Sequence, residues 1–307
     1  MDAYLVAILT TAAVYVILAL ALNIQFGLTG LMNFGVVGFY GVGAYTSGIM
    51  TETLGQPILL GMLAAIVVGG LAGGLVSLLS IRLSGDFLAI VTLGFAETMR
   101  LAFNNEDWLT RGPRGFLIMT RPVIDGLGRG ATAWFILGVF VLAAIIVFVV
   151  LNRLAGSPFG RVLRAIREDD LVPATLGKNV LAYRLQAFVL GSAAMALAGS
   201  LYAHYVQTIT PDNFTTQVAV LVWMSLIVGG AGNMKGAVVG ALVVTAIYEG
   251  TRFLAPLMEF LTPTQVSALR FIIIGTLLIV VVRYRPEGLL PERIAPRSRP
   301  DPVPAAG

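Results

Sequence analysis

Two pairs of opposite charge interrupt otherwise apolar stretches, Glu97-Thr98-Met99-Arg100 and Glu249-Gly250-Thr251-Arg252. Their i, i+3 spacing lets carboxylate and guanidinium meet on one helix face. An ionisable group inside a membrane span is a functional candidate by default. These four residues are therefore candidates for an external vestibule, where a solute carrying both charges would find partners. The simpler alternative is a pair of self-neutralising contacts at the membrane interface. The remaining chemistry is sparse. The chain has no cysteine and one histidine, His204, which excludes disulfides and the common zinc clusters. Placed between Tyr202 and Tyr205, His204 reads as part of an aromatic belt at the outer interface. With no histidine cluster, catalytic cysteine or paired-carboxylate motif, the sequence argues against an enzyme, and no cofactor is expected. An ion-driven transporter usually needs an unpaired acid at mid-membrane, whereas Glu97 and Glu249 each have an arginine one turn away.

The second candidate is the polar break at 152–183, within which Ser157-Pro158 opens a short segment bearing Arg161, Arg164 and Arg167. Ser and Pro suit the N-cap and first turn of a helix, and Val162, Leu163, Ala165 and Ile166 make it amphipathic. Asp169-Asp170 begins a second short helix that Gly177 stops. Such a helix pair suits docking to a soluble motor domain; an ordinary basic loop or a helix on anionic lipid is the alternative. No G-x-x-x-x-G-K-[ST] occurs, so the chain has no phosphate cradle of that kind, and any ATP-derived energy must come from partners.

The elements that position these residues are membrane helices. Hydrophobic residues make up 57% of the 307 and charged ones 12%, at a mean hydropathy of +0.89. Soluble domains carry about 25% charge. Lipid offers the backbone no hydrogen-bond partner, so an all-α polytopic bundle is expected. Polar breaks predict about nine spans, near 3–22, 33–50, 57–81, 87–103, 132–151, 184–206, 215–229, 236–254 and 267–283. The stretches at 33–50 and 215–229 are short or Gly-rich and read as broken or re-entrant helices. Arginines at 153–184 and 283–299 place both segments in the cytoplasm and the N-terminus outside, although Arg111, Arg114, Arg121 and Arg129 sit in a loop expected outside. The first apolar stretch has no basic leader and reads as a retained span. The net charge of +4 is that of cytoplasmic loops and not a nucleic-acid footprint. Residues 1–290 form the membrane domain, and the Pro-rich 291–307 reads as a disordered tail. Gly27-Leu28-Thr29-Gly30 and Gly229-Gly230-Ala231-Gly232, with matching Val and Ala positions after each, suggest a weak internal repeat.

Four segments, in order across roughly 15–290, carry a family resemblance. They are Leu22-Asn23 through Gly30 with Asn33-Phe34-Gly35 and Gly41-Val42-Gly43-Ala44-Tyr45; Arg82-Leu83-Ser84-Gly85-Asp86-Phe87; Phe159-Gly160-Arg161 through Gly177; and Gly229 through Gly236. The chain resembles the permease subunits of branched-chain amino-acid ABC transporters, in particular the longer of the two paralogues. The resemblance implies a bacterial inner-membrane subunit forming half of a translocation path. It also implies a paralogous permease, two ATP-binding subunits and a periplasmic or lipid-anchored binding protein as partners. It makes Phe159, Gly160, Arg161, Arg164, Arg167, Glu168, Asp169, Asp170 and Gly177 the ATPase-coupling segment, with Pro173 departing from the usual pattern. Asn33, Gly35, Gly38, Gly41, Gly43, Tyr45, Gly229, Gly230 and Gly232 join the two charge pairs as path candidates, plain helix packing being the alternative for the glycines. Related permeases handle urea, short amides or small organic acids, so the substrate stays open at this point.

Overall fold

Each of the nine apolar stretches carries a helix in the computed structural model, which describes residues 2–80, 85–120, 129–254 and 263–292. In chain order the helices are α1 (Asp2–Leu22), α2 (Val36–Gly48), α3 (Ile58–Ser80), α4 (Gly85–Asn105), the short α5 (Asp107–Thr110), α6 (Arg129–Gly156), α7 (Pro158–Glu168), α8 (Leu171–Thr175), α9 (Val180–Val206), α10 (Thr216–Gly229), α11 (Met234–Leu254) and α12 (Pro263–Tyr284). Among the described residues, four helical segments are long and apolar enough to cross a membrane on composition alone: Tyr4–Gly27, Ile58–Leu79, Gly130–Gly156 and Val180–Val206. The chain is a multi-pass helical membrane protein.

Position in the bundle follows from which faces are apolar. The helix α1 is apolar all round, and Ile17 through Leu22 are fully enclosed by α6, α9, α10 and α11. By contrast, α3 and α6 turn Leu59, Leu71, Leu78, Leu79, Leu142, Ile145 and Ile146 outward, as a lipid-facing surface requires. Lipid tails are as apolar as leucine, so helices associate through close packing rather than through escape from water. The tightest crossing sets α2 against α9. A Cβ on Gly43 would overlap the backbone of Ala196, and one on Gly199 would overlap the Tyr40 carbonyl.

The two stretches expected to be broken are irregular in different ways. After α1 the chain makes a π-helical turn at Asn23–Gly27 and runs without regular structure to α2, which ends in a second π-helical turn, Ile49–Thr53. The α10 helix has 14 residues, about 21 Å at 1.5 Å per residue, less than a hydrocarbon core of about 30 Å. Charged segments cluster at the two ends of the bundle. The turns at 23–30 and 229–233, helices α7 and α8, and residues 285–292 share one end, where hydrogen bonds join them. Residues 49–53, 106–120 and 207–215 share the other, tied by a two-stranded antiparallel pair, β1 (Phe116–Leu117) with β2 (Thr208–Ile209). That pairing lies in polar loops too short to show strand alternation.

Candidate functional site

The helix pair at the first end forms as its sequence dictates. Ser157, in extended geometry, precedes Pro158 at the first helical position of α7, where a missing N–H costs nothing. Gly160 lies against the Ala155 carbonyl, so the chain reverses tightly between α6 and α7. Phe159 stacks on Tyr183 with ring centroids 5.6 Å apart. Asp169 Oδ1 accepts the Leu171 N–H at 2.9 Å and caps α8, while Asp170 pairs with Arg184 at 3.1 Å. Gly177 takes the left-handed conformation (φ +73°) and ends the unit. Leu163 and Ile166 face the bundle; Arg161 and Glu168 face solvent. Pro173 does not disrupt α8; it sits buried in its first turns.

Arg164 and Arg167 do not point toward a partner. Arg164 donates through Nε to Glu292 Oε1 at 2.5 Å and through Nη1 to the Ala155 carbonyl at 2.8 Å. Arg167 donates through Nη2 to Glu292 Oε2 at 2.7 Å and through Nη1 to the Gly27 carbonyl. Three arginines spaced by three residues spiral by about −60° per step, so one face cannot hold them all. Glu292 also shifts an expected boundary. Pro291 and Glu292 belong to the packed body rather than to the tail, and 293–307 lie outside the described residues. Beside the exposed charges of Arg161, Glu168, Asp169 and Asp170, the pair presents an apolar patch outward: Leu171, Val172 and Leu176 are 70%, 53% and 74% exposed. These three were not among the expected site residues. Their signal was present, since they are large aliphatics beside the acidic Glu168-Asp169-Asp170 run.

The path candidates separate into two groups. Asn33 is fully buried, with its carbonyl accepting from Trp223 Nε1 at 3.0 Å, its amide donating to Gln25 Oε1 at 2.7 Å and its side-chain oxygen accepting the Gly35 N–H at 2.7 Å. Gln25 in turn donates to the Phe188 carbonyl at 2.8 Å. This network supplies partners to the irregular backbone between α1 and α2, which lipid cannot do. Gly35, Gly38, Gly41 and Gly43 pack on Thr92, Ala96, Phe103 and Ala196, and Gly229 packs on Gly236. Tyr45 stacks on Phe103 at 4.3 Å, 2% exposed. These contacts hold helices of this chain together. Gly230 and Gly232 hold φ of +109° and +89°, which the turn into α11 requires.

Glu97 and Arg100 form the expected pair, with Arg100 donating from Nε and Nη2 at 2.5–3.1 Å. They lie near the middle of α4 on its outer face, 49% and 28% exposed. For the second pair, the Arg252 side chain lies outside the described residues; Glu249 is half-buried on α11, its backbone carbonyl accepting from Tyr4 Oη at 3.2 Å.

His204 departs from the aromatic-belt expectation: it is 1% exposed. Its Nδ1 lies 3.0 Å from the Thr120 carbonyl, which can only accept, so Nδ1 carries the proton. Nε2 then accepts from Ser47 Oγ at 2.9 Å, and Ser47 accepts from Ser200 Oγ at 2.7 Å. Partners 157 and 84 residues away decide this placement, beyond the reach of local pattern. Thr120 is held on its other side by Glu52, whose carboxylate accepts its N–H and Oγ–H at 2.8 and 2.7 Å. Partial burial pushes the Glu52 carboxyl up, but the hydrogen bonds from Thr120 and Met119 outweigh it and hold the group below its ordinary value. A depressed carboxyl stabilises the fold above its unfolded pKa and loses that contribution as pH falls through the folded value. The hydrogen-exchange protection of the Thr120 amide, corrected for intrinsic exchange at each pH, is therefore expected to fall as pH drops through the folded Glu52 value, and Glu52→Gln is expected to remove that pH dependence.

Comparison with known proteins decides the family. The profile described as "Branched-chain amino acid transport system / permease component" matches residues 4–282. The chain belongs to this permease family. The high-affinity branched-chain amino acid transport system permease protein LivM of Escherichia coli K12 is 31% identical over 92% of this chain and 69% of its own length. A probable LivM of Methanocaldococcus jannaschii is 27% identical over 93% of both chains. LivH of Escherichia coli K12 is also similar, at 23% identity over 92% of each chain. No solved structure matches. Membership gives the exposed apolar face of α7–α8 a context, because a permease of this family is one component of a larger transport system.

Proposed function

We propose that this protein is the LivM-like permease subunit of an ATP-driven importer of branched-chain amino acids, forming half of the translocation path in a bacterial inner membrane. The observation that carries the mechanism is the exposed Leu171, Val172 and Leu176 face on a helix pair anchored inward by Arg164 and Arg167. An apolar patch on a charged end of a membrane protein marks a protein contact. Here the contact is with an ATP-binding subunit, because this sequence lacks a phosphate cradle of its own. That end, with α12 and residues 285–292, is the cytoplasmic one. The end holding Glu52, Thr120 and β1–β2 faces the periplasm and receives the binding protein. A LivH-like permease supplies the other half of the path.

The path side of the chain is the outer face of α4. A lone charge at the bilayer centre costs about 2.5–3.5 kcal/mol on insertion scales, and pairing reduces but does not remove that cost. An outward-facing Glu97–Arg100 pair at mid-helix is consistent with an aqueous seam against the partner permease, where a zwitterion's ammonium and carboxylate find opposite charges. Glu97→Gln is expected to lower uptake about tenfold, a coupling of about 1.4 kcal/mol, with assembly intact. Uptake equal to wild type in a fully assembled complex would assign the pair to lipid-interface anchoring. The whole reading is tested in proteoliposomes: accumulation of leucine, isoleucine or valine must require ATP, both permeases, the ATPases and the binding protein. Accumulation driven by an ion gradient with this chain alone would overturn it.

A further inference from the structure

Glu292 is an acid from beyond the last span that joins α7 to the rest of the bundle. It bridges two arginines of α7, and its side chain is only 12% exposed. Arg167, gripped on one side by Glu292, donates on the other to the carbonyl of Gly27, the last residue of the π-helical turn that ends α1. That turn is hydrogen-bonded to the second Gly-rich turn: the Gly232 N–H donates to Asn23 Oδ1 at 2.8 Å, and Asn23 Nδ2 reaches Met234 Sδ at 3.4 Å. The two segments that echo each other in sequence thus touch, and Arg167 lies over both. A Cβ on Gly232 would meet Arg167 Nη1 at 2.9 Å, and Glu292 Oε2 as well. The strand of chain carrying Glu292 is fixed to the second turn along its length. Leu289 and Leu290 donate their N–H groups to the Val228 and Gly229 carbonyls at 2.9 and 3.0 Å, and Asn233 Nδ2 donates to the Leu290 and Pro291 carbonyls at 3.1 and 3.2 Å.

We propose that Glu292 and Arg167 are positioning residues for transport: through them, displacement of α7–α8 reaches the turn after α1 and the turn between α10 and α11 as one rigid motion. The proposal rests on the docking role assigned to α7–α8 above and adds where its motion goes. The chemistry suits load transfer. A carboxylate clamped by two guanidiniums makes charge-assisted, directional bonds, which resist sliding in a way that an apolar contact does not. Both targets are also poised to move other elements, since one leads from α1 into the irregular segment before α2 and the other ends the short α10.

The test is the number of substrate molecules imported per ATP hydrolysed by the purified complete importer in proteoliposomes, normalised to assembled complex. For Glu292→Gln, hydrolysis per complex is expected to stay within about twofold of wild type while uptake falls about tenfold or more, within the usual range of coupling energies. Glu292→Asp, which keeps the charge, is expected to restore most of the ratio. Arg167→Lys keeps its charge but loses the fork that holds Gly27 and Glu292 together, and it is expected to uncouple as Glu292→Gln does. If the Gln variant fails to assemble, the same ratio is read on Arg167→Lys. Uptake and hydrolysis that change in proportion, or an unchanged ratio, would overturn the proposal by making the clasp merely structural. Loss of the ATPases from a folded Glu292→Gln permease would also overturn it, by placing Glu292 in docking. Failure of the docking reading itself has a separate signature: ATPases that stay bound after the α8 aliphatics are made acidic.

Discussion

Gly199→Leu is expected to leave no folded permease in the membrane. The Cβ of residue 199 would fall on the Tyr40 carbonyl and within 2.9 Å of the Ala44 N–H, so the obstacle is backbone on α2, not a side chain that can rotate aside. Overpacking a core whose side chains can yield costs about 1–3 kcal/mol. Here α2 and α9 must separate bodily, and the dispersion contacts of Gly43 with Ala196 along the same crossing are lost with them. Water cannot compensate by filling the gap, and the polar network around Asn33 and Gln25 depends on the same approach. Gly138→Ala in α6 is the control: nothing lies within 4 Å of its Cβ position. Removing that glycine is expected to raise helix stability by up to about 1 kcal/mol. Detergent-extracted yield and the thermal midpoint of the purified chain check both. A Gly199→Leu protein that extracts and melts like wild type would mean that the α2–α9 contact is not structural.

Sequence made the helices legible and left most of the site hidden, for physical reasons. Run length and the absence of solvent for the backbone dictate where α1, α3, α6 and α9 lie, because the membrane permits few other solutions. Close glycines announced tight crossings but not which helix they meet; Gly43 finds Ala196 across 153 residues of chain, a pairing no local period encodes. Arg164 and Arg167 were legible as a charged helix face and misleading about direction. Their partner, Glu292, sits beyond the last span in a Pro-rich segment whose composition resembles a free tail. The same holds for His204, whose aromatic neighbours are local and whose actual partners, Ser47 and Thr120, are not. Only Glu97 and Arg100 carried their full geometry in the sequence, because both members lie within one turn.

Those limits matter for how an importer of this kind divides its work. The elements that sequence reveals well are the lipid-facing and packing helices, which any polytopic protein needs. The elements that sequence leaves hidden are long-range polar contacts at the two ends: Glu52 with Thr120 at one, and at the other Glu292 with α7, whose Arg167 also reaches the Gly27 carbonyl. Both ends join segments distant in sequence through charged carboxylates, whose bonds are directional and charge-assisted.

Replacing Leu171 and Leu176 together by Asp is expected to release the ATP-binding subunits from an otherwise intact permease. Both side chains are exposed on α8 and its C-terminal turn, so the change removes no contact within the chain, and the thermal midpoint of the isolated subunit is expected to hold. Burying a leucine at an interface contributes about 1.5–3 kcal/mol. Two such losses weaken the complex by about 3–6 kcal/mol, and two carboxylates facing an apolar cleft add a desolvation cost. Affinity is then expected to fall by a factor on the order of 10² to 10⁴. Native mass spectrometry or affinity co-purification reads this directly, as permease pairs without ATPases, and uptake in proteoliposomes is expected to vanish. Leu171→Met with Leu176→Met separates shape from polarity, since methionine keeps the apolar area and is expected to retain both assembly and transport. Arg161, exposed on the same unit, supplies a charged rim to the patch; its truncation is expected to change ATPase binding by less than either aspartate, because a rim charge in water contributes about 0–1 kcal/mol. Should the double Asp variant keep its ATPases, the docking face must lie elsewhere on the cytoplasmic end, and the exposed aliphatics of α8 would need another partner to cover them.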